Sequence, residues 1–500
     1  MPVLGIDVGT GGTRSLVVAD DGRVLGVGAH EHAPFASPQP GWAEQSPEDW
    51  WRATQMAVKA ALVDARIDAR GIAAVGFSGQ MHGAVLLDAA LDVIRPALIW
   101  CDQRTDAECE WLNRAIGADS LLARTCNPAL TNFTLSKLLW VRAHEPDMWR
   151  RVEHVLLPKD YVRFRLSDTL ATDVTDASGT LMFDVARRRW SHDMLDAAGI
   201  PAAFVPPAHE SADVCGVVSD RGARATGLLQ GTPIVGGAGD QAAGALGIGV
   251  TRPGVVSATI GTSGVVFAAT DRPAMDPQGR LHTFCHAAPN RWHLMGVTQA
   301  AGLSLRWLRE QLGDRGESYE KLTAEAAQVP AGAAGVLWAP YLMGERTPHL
   351  DPDVRAALVG LTASHHRGHI VRAVMEGVAF SLRETLTIFD ELDVPVSSIR
   401  LGGGGARSAL WRQIQADVYG RPVQTVDVDE GAAFGAAILA GIGAGIWRDV
   451  DEAADSLVRT AVAANPDPES AALMNERYAA YRRLYPALRM LDARASFVPN

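Results

Sequence analysis

Two aspartates stand beside glycines at the ends of apolar runs: Asp7 in GIDVGTGGTR (residues 5–14) and Asp240 in PIVGGAGDQAAGALGIG (233–249). A carboxylate flanked by glycines at the C-terminal edge of a buried strand lets a substrate approach the backbone closely. An aspartate that opens a helix serves equally well as an N-cap, and the two roles are compatible. Phosphoryl transfer asks little of such a residue beyond position. Its transition state is largely dissociative, so a carboxylate that orients an acceptor hydroxyl and takes its proton late is enough. With an ordinary pKa of about 3.9, an aspartate is ionised near neutrality and able to accept. Asp7 lies next to a glycine loop of phosphate-cradling type and would repel the anion unless a cation lay between them. Asp7 therefore points to a metal–nucleotide complex and away from a bare dinucleotide.

The loop after Asp7 has to be told apart from commoner phosphate loops. The dinucleotide fingerprint needs G-x-G-x-x-G at a strand-to-helix turn. Gly9 and Gly11 fit it, but the third glycine position is Arg14. The following SLVVADDGRVLGVG alternates, carries β-branched residues and contains Asp21-Gly22, a two-residue hairpin signal. The loop thus joins strand to strand. It is not followed by G-K-[ST], so it is not a Walker loop either. IGTSGVVFAA at 260–269 echoes VGTGGTRSLVVA at 8–19, about half a chain length away. A division near residue 245 gives two parts, 1–245 and 246–500, the second ending in a helical tail. Each part opens with a hairpin that could hold phosphate.

The elements that must position these residues alternate between strand and helix, as in an α/β layered domain. PEDWWRATQMAVKAALVDA (47–65) reads as an amphipathic helix started by Ser46 as N-cap, Pro47 at its first position and acidic residues after it. GIAAVGFSG (71–79) reads as a buried strand. HIVRAVMEGVAFSLRETLTIFDEL (369–392) reads as a long helix, and SIRLGGGGARSALWRQIQADVYG (398–420) as strand, glycine turn and helix. Two α/β domains facing each other across a cleft fit these patterns. Met81-His82-Gly83 falls in a turn between strands, where a histidine is more often locally bonded than a ligand. Asp102, Gln103 and Arg104 follow an apolar run and suit sugar hydroxyls, though surface loops look the same. APYLMGERTPHLDPDVRAALVGLT (339–362) follows neither helix nor strand period and reads as a structured loop with no assigned role. There is no H-E-x-x-H, His365-His366 has no acid at ligand spacing, and no G-x-S-x-G elbow occurs.

Composition narrows the class. The 500 residues carry 57 acidic and 46 basic side chains, a net charge of -11. That argues against nucleic-acid binding, which needs clustered Lys and Arg to replace counterions. Five scattered cysteines without a CxxC pair speak against a disulfide framework or structural zinc and favour a reducing compartment. The N-terminus lacks a basic start, and Asp7 interrupts any signal-peptide core. The uncharged run Gly431 to Trp447 is shorter than the roughly 20 residues a membrane span needs and is rich in Gly and Ala, so it reads as a buried core helix. A soluble cytoplasmic protein without membrane partners is expected.

Taken together, GIDVGTGGTR, GWAEQSPEDWW, GQMHGAVLLD, RPALIWCDQR, KLLWVRAHEP, LLPKDYVRFRL, TDVTDASGT, GAGDQAAGALGIG, GTSGVVFA, YLMGERTPH, RAVMEGVAFSL and GGGARSALWRQ, in this order, resemble the FGGY carbohydrate kinases along essentially the whole chain. The resemblance implies two RNase H-like, actin-like ATPase domains flanking a catalytic cleft. It also implies ATP and Mg2+ as cofactors and transfer of phosphate to the 5-hydroxyl of a ketopentose, D-xylulose. A homodimer is the assembly it suggests. Asp240 then matches the family's proton acceptor, and Asp7 the aspartate that holds Mg-ATP. Asp7 and Asp240 would meet the metal through water. Met81, His82, Asp240 and Gln241 match sugar contacts. Thr10, Gly11, Gly12 and Arg14 match the first phosphate loop, and Gly261 with Thr262 the second. Gly404 and Ser408 fall where adenosine is held, with Trp307 near the base. There are departures. Gln241 stands where relatives acting on xylulose commonly have Asn, Asn132 replaces a small or aromatic residue, and the region of Cys101 and Gln103 differs. One methylene discriminates by only about 1–3 kcal/mol, so D-ribulose, L-ribulose, glycerol and gluconate stay open as acceptors. An actin-like or chaperone-like ATP switch would share the hairpins but would not need the GQMHG and GAGDQAAG segments. A dinucleotide oxidoreductase fails on the hairpin.

Overall fold

The computed structural model describes residues 1–313, 316–427 and 431–491. The end of the expected helical tail, residues 492–500, lies outside them. Two seven-stranded sheets organise the chain. In the first, β1 (Val3–Val8), β2 (Gly12–Val18) and β3 (Val24–Glu31) form an antiparallel meander. β4 (Val75–Gly79) runs parallel to β1 on its other side. β5 (Val214–Val217), β6 (Pro233–Val235) and β7 (Ala238–Gly239) complete the sheet, with β6 and β7 both parallel to β4. In the second, β8 (Gly254–Ile260) pairs antiparallel with β9 (Gly264–Thr270), and beyond it lie β10 (His282–Cys285) and β11 (Trp292–Thr298). β12 (Val396–Gly403) is parallel to β8, followed outward by β13 (Val423–Val426) and β14 (Thr460–Ala464). β1 and β8 thus hold the same place: each has an antiparallel hairpin partner on one side and a parallel strand on the other. The internal echo in the sequence is an echo of topology.

Nine helices position the site. They are α1 (Pro47–Ala65), α2 (Thr134–His144), α3 (Pro158–Ser167), α4 (Asp240–Gly247), α5 (Gly302–Leu312), α6 (Tyr319–Ala327), α7 (Arg367–Glu391), α8 (Ala409–Tyr419) and α9 (Gly431–Gly443). α1 starts at Pro47, whose fixed φ suits a first helical position. Ser46 occupies the N-cap position, but its side chain makes no capping bond. Asp49 turns away as well, accepting the Ala33 N–H at 2.7 Å and so tying the helix to the end of β3.

α9 is the uncharged run beginning at Gly431, and it crosses the boundary that the sequence suggests. Although it follows the second sheet in the chain, it packs on β1, β4 and α4 of the first. Phe434, Ile438 and Leu439 share a buried cluster with Val3, Leu16, Ala242 and Leu246. Two glycines allow backbone to meet backbone. A Cβ at Gly435 would collide with the Ala243 carbonyl of α4, and one at Gly5 with the Ala433 carbonyl. Among the described residues no helix is long and apolar enough to cross a membrane. Overpacking of such a contact typically costs about 1–3 kcal/mol. Gly435→Val should therefore lower the unfolding free energy by at least that amount in a denaturant titration. An unchanged midpoint would contradict the close approach.

Candidate active site

The Gly9–Gly12 turn between β1 and β2 has its carbonyls turned inward. Gly9 O accepts from Gln80 Nε2 (3.4 Å), Thr10 O from Gln45 Nε2 (2.8 Å), Gly11 O from the His32 N–H (2.9 Å) and Gly12 O from the Gly9 N–H (3.0 Å). The Thr10 hydroxyl accepts from Trp100 Nε1 at 2.9 Å and donates to Gln80 Oε1 at 3.2 Å. The Thr10 and Gly11 N–H groups donate to nothing among the described residues. The β8–β9 turn repeats the device. Gly261 O accepts from the Gly302 N–H (2.8 Å), and Thr262 O from those of Ala301 (3.0 Å) and Leu303 (3.1 Å), at the start of α5. The Thr262 and Ser263 N–H groups are likewise left over. Consecutive unpaired amides in a turn form an anion-binding concavity. The two turns are matched, one from each sheet.

Gly261 and Thr262 open onto a cavity of about 720 Å³, also lined by Leu303 and Arg306 of α5, Tyr319 and Thr323 of α6, and Gly404 and Ser408 before α8. Its size and mostly apolar walls suit a purine nucleoside. Ser408 caps α8, its hydroxyl accepting the Trp411 N–H at 3.3 Å. Trp307 does not line this cavity; it stacks on Trp338 at 5.8 Å. Leu305 and Arg306 of α5 reach the cavity wall, whereas Trp307, the next residue, packs on the Trp338 ring. A second cavity of about 440 Å³ adjoins through Arg407 and runs from Gly402 and Gly403 to Asp240 and Gln241.

Asp240 is the first residue of α4, with Gly239 in the cap position, so its carboxylate is not the N-cap. Its pKa is pushed up to about 7 by burial and by the negative charge of Asp7, against hydrogen bonds from Gln241. Asp7, near the end of β1, is paired in register with Arg14 on β2 and Ser78 on β4. Burial raises its pKa too, the Arg14 charge opposing, and its Oδ1 is buried with no hydrogen-bond partner. Two carboxylates that disfavour each other's ionisation, one with an orphan oxygen, have the chemistry of a site completed by a cation. Among the described residues no cluster of three or more acidic, His or Cys side chains could hold a metal alone.

On the other side of Asp240, Met81 packs so closely on Gly239 that a Cβ there would collide with its side chain. His82 is buried and sits in the left-handed region at φ 67°, a conformation that persists only where its surroundings enforce it. Its Nδ1 meets Gly179 O at 2.7 Å, which leaves Nε2 as the acceptor once Nδ1 carries the proton. Burial, with the nearby charges of Lys137 and Arg346, holds its pKa down to about 3. Phe133 lies edge-on to the ring at 5.0 Å. The Asp102–Arg104 segment, in contrast, is structural. Asp102 is buried, accepts the Ala43 N–H at 2.6 Å and pairs with Arg104, whose guanidinium lies 3.7 Å over Trp42. Gln103 points to solvent. Sequence reasoning missed Gln45, Gln80 and Trp100, which shape the first turn. Each lies within a motif quoted above, GWAEQSPEDWW, GQMHGAVLLD and RPALIWCDQR, but nothing in those stretches shows that their side chains converge on one turn.

A family model described as the FGGY family of carbohydrate kinases, N-terminal domain, matches residues 2–247, and its C-terminal counterpart matches 256–444. The xylulose kinase of Bacillus subtilis (strain 168) is 38% identical over 483 residues, covering 97% of this chain and 96% of its own. That of Escherichia coli (strain K12) is 38% identical over 491 residues, covering 98% and 100%. The crystal structure of xylulose kinase from Rhodospirillum rubrum superposes with a TM-score of 0.92 at 33% identity, covering 98% of this chain and 99% of that one.

A histidine with a pKa of about 3 is neutral throughout the neutral range, whereas an ordinary one titrates near 6.5. In an NMR titration from about pH 8 to about pH 5.5, the His82 ring signals, assigned by their loss in His82→Gln, should stay fixed. A midpoint near 6.5 would contradict the burial, which the Gly179 bond opposes without cancelling.

Proposed function

The chain belongs to the FGGY family of carbohydrate kinases, and from that premise we propose that it transfers the γ-phosphate of ATP to the 5-hydroxyl of D-xylulose. One observation carries the mechanism: Gly239 packs on Met81 while the next residue, Asp240, feels the charge of Asp7. The acceptor side and the phosphate side of the cleft meet at a single carboxylate. The relatives named xylulose kinase, similar over nearly their whole length, support the choice of acceptor.

The purine side of ATP fits the 720 Å³ cavity, and its phosphates fit the two turns with unpaired amides. Main-chain N–H groups aimed at where charge accumulates need no reorganisation during the reaction. The sugar lies between His82 and Asp240, with the neutral His82 Nε2 accepting from a hydroxyl. Asp240 orients the 5-hydroxyl. As its oxygen bonds to the γ-phosphorus and the bond to the β–γ bridging oxygen breaks, the hydroxyl proton passes to Asp240. A carboxyl raised to about 7 is better matched to that task near neutrality than an ordinary aspartate. Asp7 and Asp240 would hold Mg2+ through water. Such a sparse protein contribution suits an ion that keeps several waters and arrives on nucleotide phosphates. Bound there, it would neutralise charge on the phosphates.

ADP release measured over ketoses and polyols should be fastest with D-xylulose. If D-ribulose, L-ribulose, glycerol or gluconate outpaces it, the acceptor is wrong while the reaction class survives. Asp240→Asn should cut kcat by about 10²–10⁴-fold with little change in calorimetric sugar affinity. Retention of more than about a tenth of the rate would remove Asp240 as the proton acceptor.

A further inference from the structure

The loop carrying GERTPH is fixed on both sides of one residue. Glu345 is buried, and its carboxylate accepts from the Gln299 N–H (2.9 Å), the Arg346 N–H (2.8 Å) and the Ser381 hydroxyl (3.3 Å). Its backbone pairs twice with Asp351, at 2.8 Å each way. Thr347 is also buried. Its N–H donates to Val297 O (3.0 Å), and its hydroxyl accepts from the Val297 N–H (3.0 Å) and donates to Arg280 O (2.9 Å). Between them Arg346 is half-buried, and its guanidinium makes no hydrogen bond or ion pair among the described residues.

Its surroundings place it on the sugar side of the cleft. Val297 shares an apolar cluster with Met81, Phe133 and Phe284. Two residues beyond Arg280, His282 stacks on Phe284 at 5.5 Å and lies edge-on to Phe133 at 5.6 Å, and Phe133 in turn meets His82. The Arg346 charge acts on both imidazoles, lowering each. Asp240 by comparison responds to Asp7 and Gln241. A guanidinium desolvated without a partner is unfavourable, and here burial depresses its own ionisation with only Glu345 opposing. An oxygen-rich neutral ligand supplies the acceptors that the protein withholds.

We propose that Arg346 is a specificity-determining residue whose guanidinium donates to the oxygens at the carbonyl end of the ketose, remote from the hydroxyl that receives phosphate. This rests on the ketopentose reading above. Arg346 comes from the second sheet's part of the chain and His82 from the first, so the sugar bridges them.

The test compares wild type, R346A, R346Q and R346K, using D-xylulose and the pentitols made by reducing its C2 carbonyl as competing ligands. R346A should raise the KM for D-xylulose by about 10–100-fold, as expected for a lost charged hydrogen bond, with the KM for ATP changed less than about twofold. The preference of the wild type for the ketose over the pentitols should collapse, and R346K should recover part of it. If R346A folds poorly by circular dichroism, R346Q keeps most of the stem and gives the same comparison. An unchanged KM for D-xylulose, or an equal loss for ketose and pentitols, overturns the inference while the ketopentose reading stands. Failure of the wild type to turn over any ketopentose overturns both.

Discussion

The site depends on one contact, the backbone-to-backbone approach of α9 to both β1 and α4. Gly5 meets α9 two residues before Asp7, and Ala243 meets it three residues after Asp240. A single glycine- and alanine-rich helix therefore sets the separation of the two carboxylates. No long side chain intervenes whose rotamers could soften the spacing. Interiors packed this tightly transmit small displacements instead of absorbing them.

Beneath the carboxylates lies a buried ionic cluster. Lys159, fully buried at the start of α3, contacts Asp160 at 2.6 Å, Asp173 at 2.8 Å and Asp176 at 3.1 Å. Asp173 accepts from the Thr175 hydroxyl at 2.6 Å, and that hydroxyl accepts the Gly239 N–H at 2.8 Å, one residue before Asp240. Burying charges is weak evidence for stability, because desolvation offsets much of the attraction. What the chain of bonds does visibly is fix the strand end from which α4 departs. The motifs LLPKDYVRFRL and TDVTDASGT meet here, and Gly179 of the second also holds His82 through its carbonyl.

Much of this architecture is legible in the amino-acid sequence. Asp21-Gly22 and the alternation around it identified a strand-to-strand loop, and the structure has β1, β2 and β3 as a meander. The Gly-Thr echo identified a second such hairpin. What could not be read was partnership. Composition shows that the run from Gly431 is buried, but not that it is buried against the opposite sheet. The family resemblance likewise puts Trp307 near the base, and local pattern leaves Asp102 open between sugar hydroxyls and a surface loop. In each case tertiary packing decided, through the ring of Trp338 and the amide of Ala43. The GERTPH loop stayed without a role because nothing in its own sequence shows that Glu345 and Thr347 are anchored while Arg346 is not.

The glycine contact at α9 also has a mechanical meaning. Where two helices touch through their main chains they cannot slide without collision, so α9, packed on β1, β4 and α4, must travel with the first sheet in any swing against the second. Asp7 and Asp240 stand on the two elements that α9 holds together, so such a swing would leave their separation unchanged. The Gly261 turn and the Gly404 turn follow neighbouring strands of the second sheet and would travel together with it. Such a swing would change the width of the second cavity, between Gly402 and Asp240, while leaving the pair of carboxylates in register.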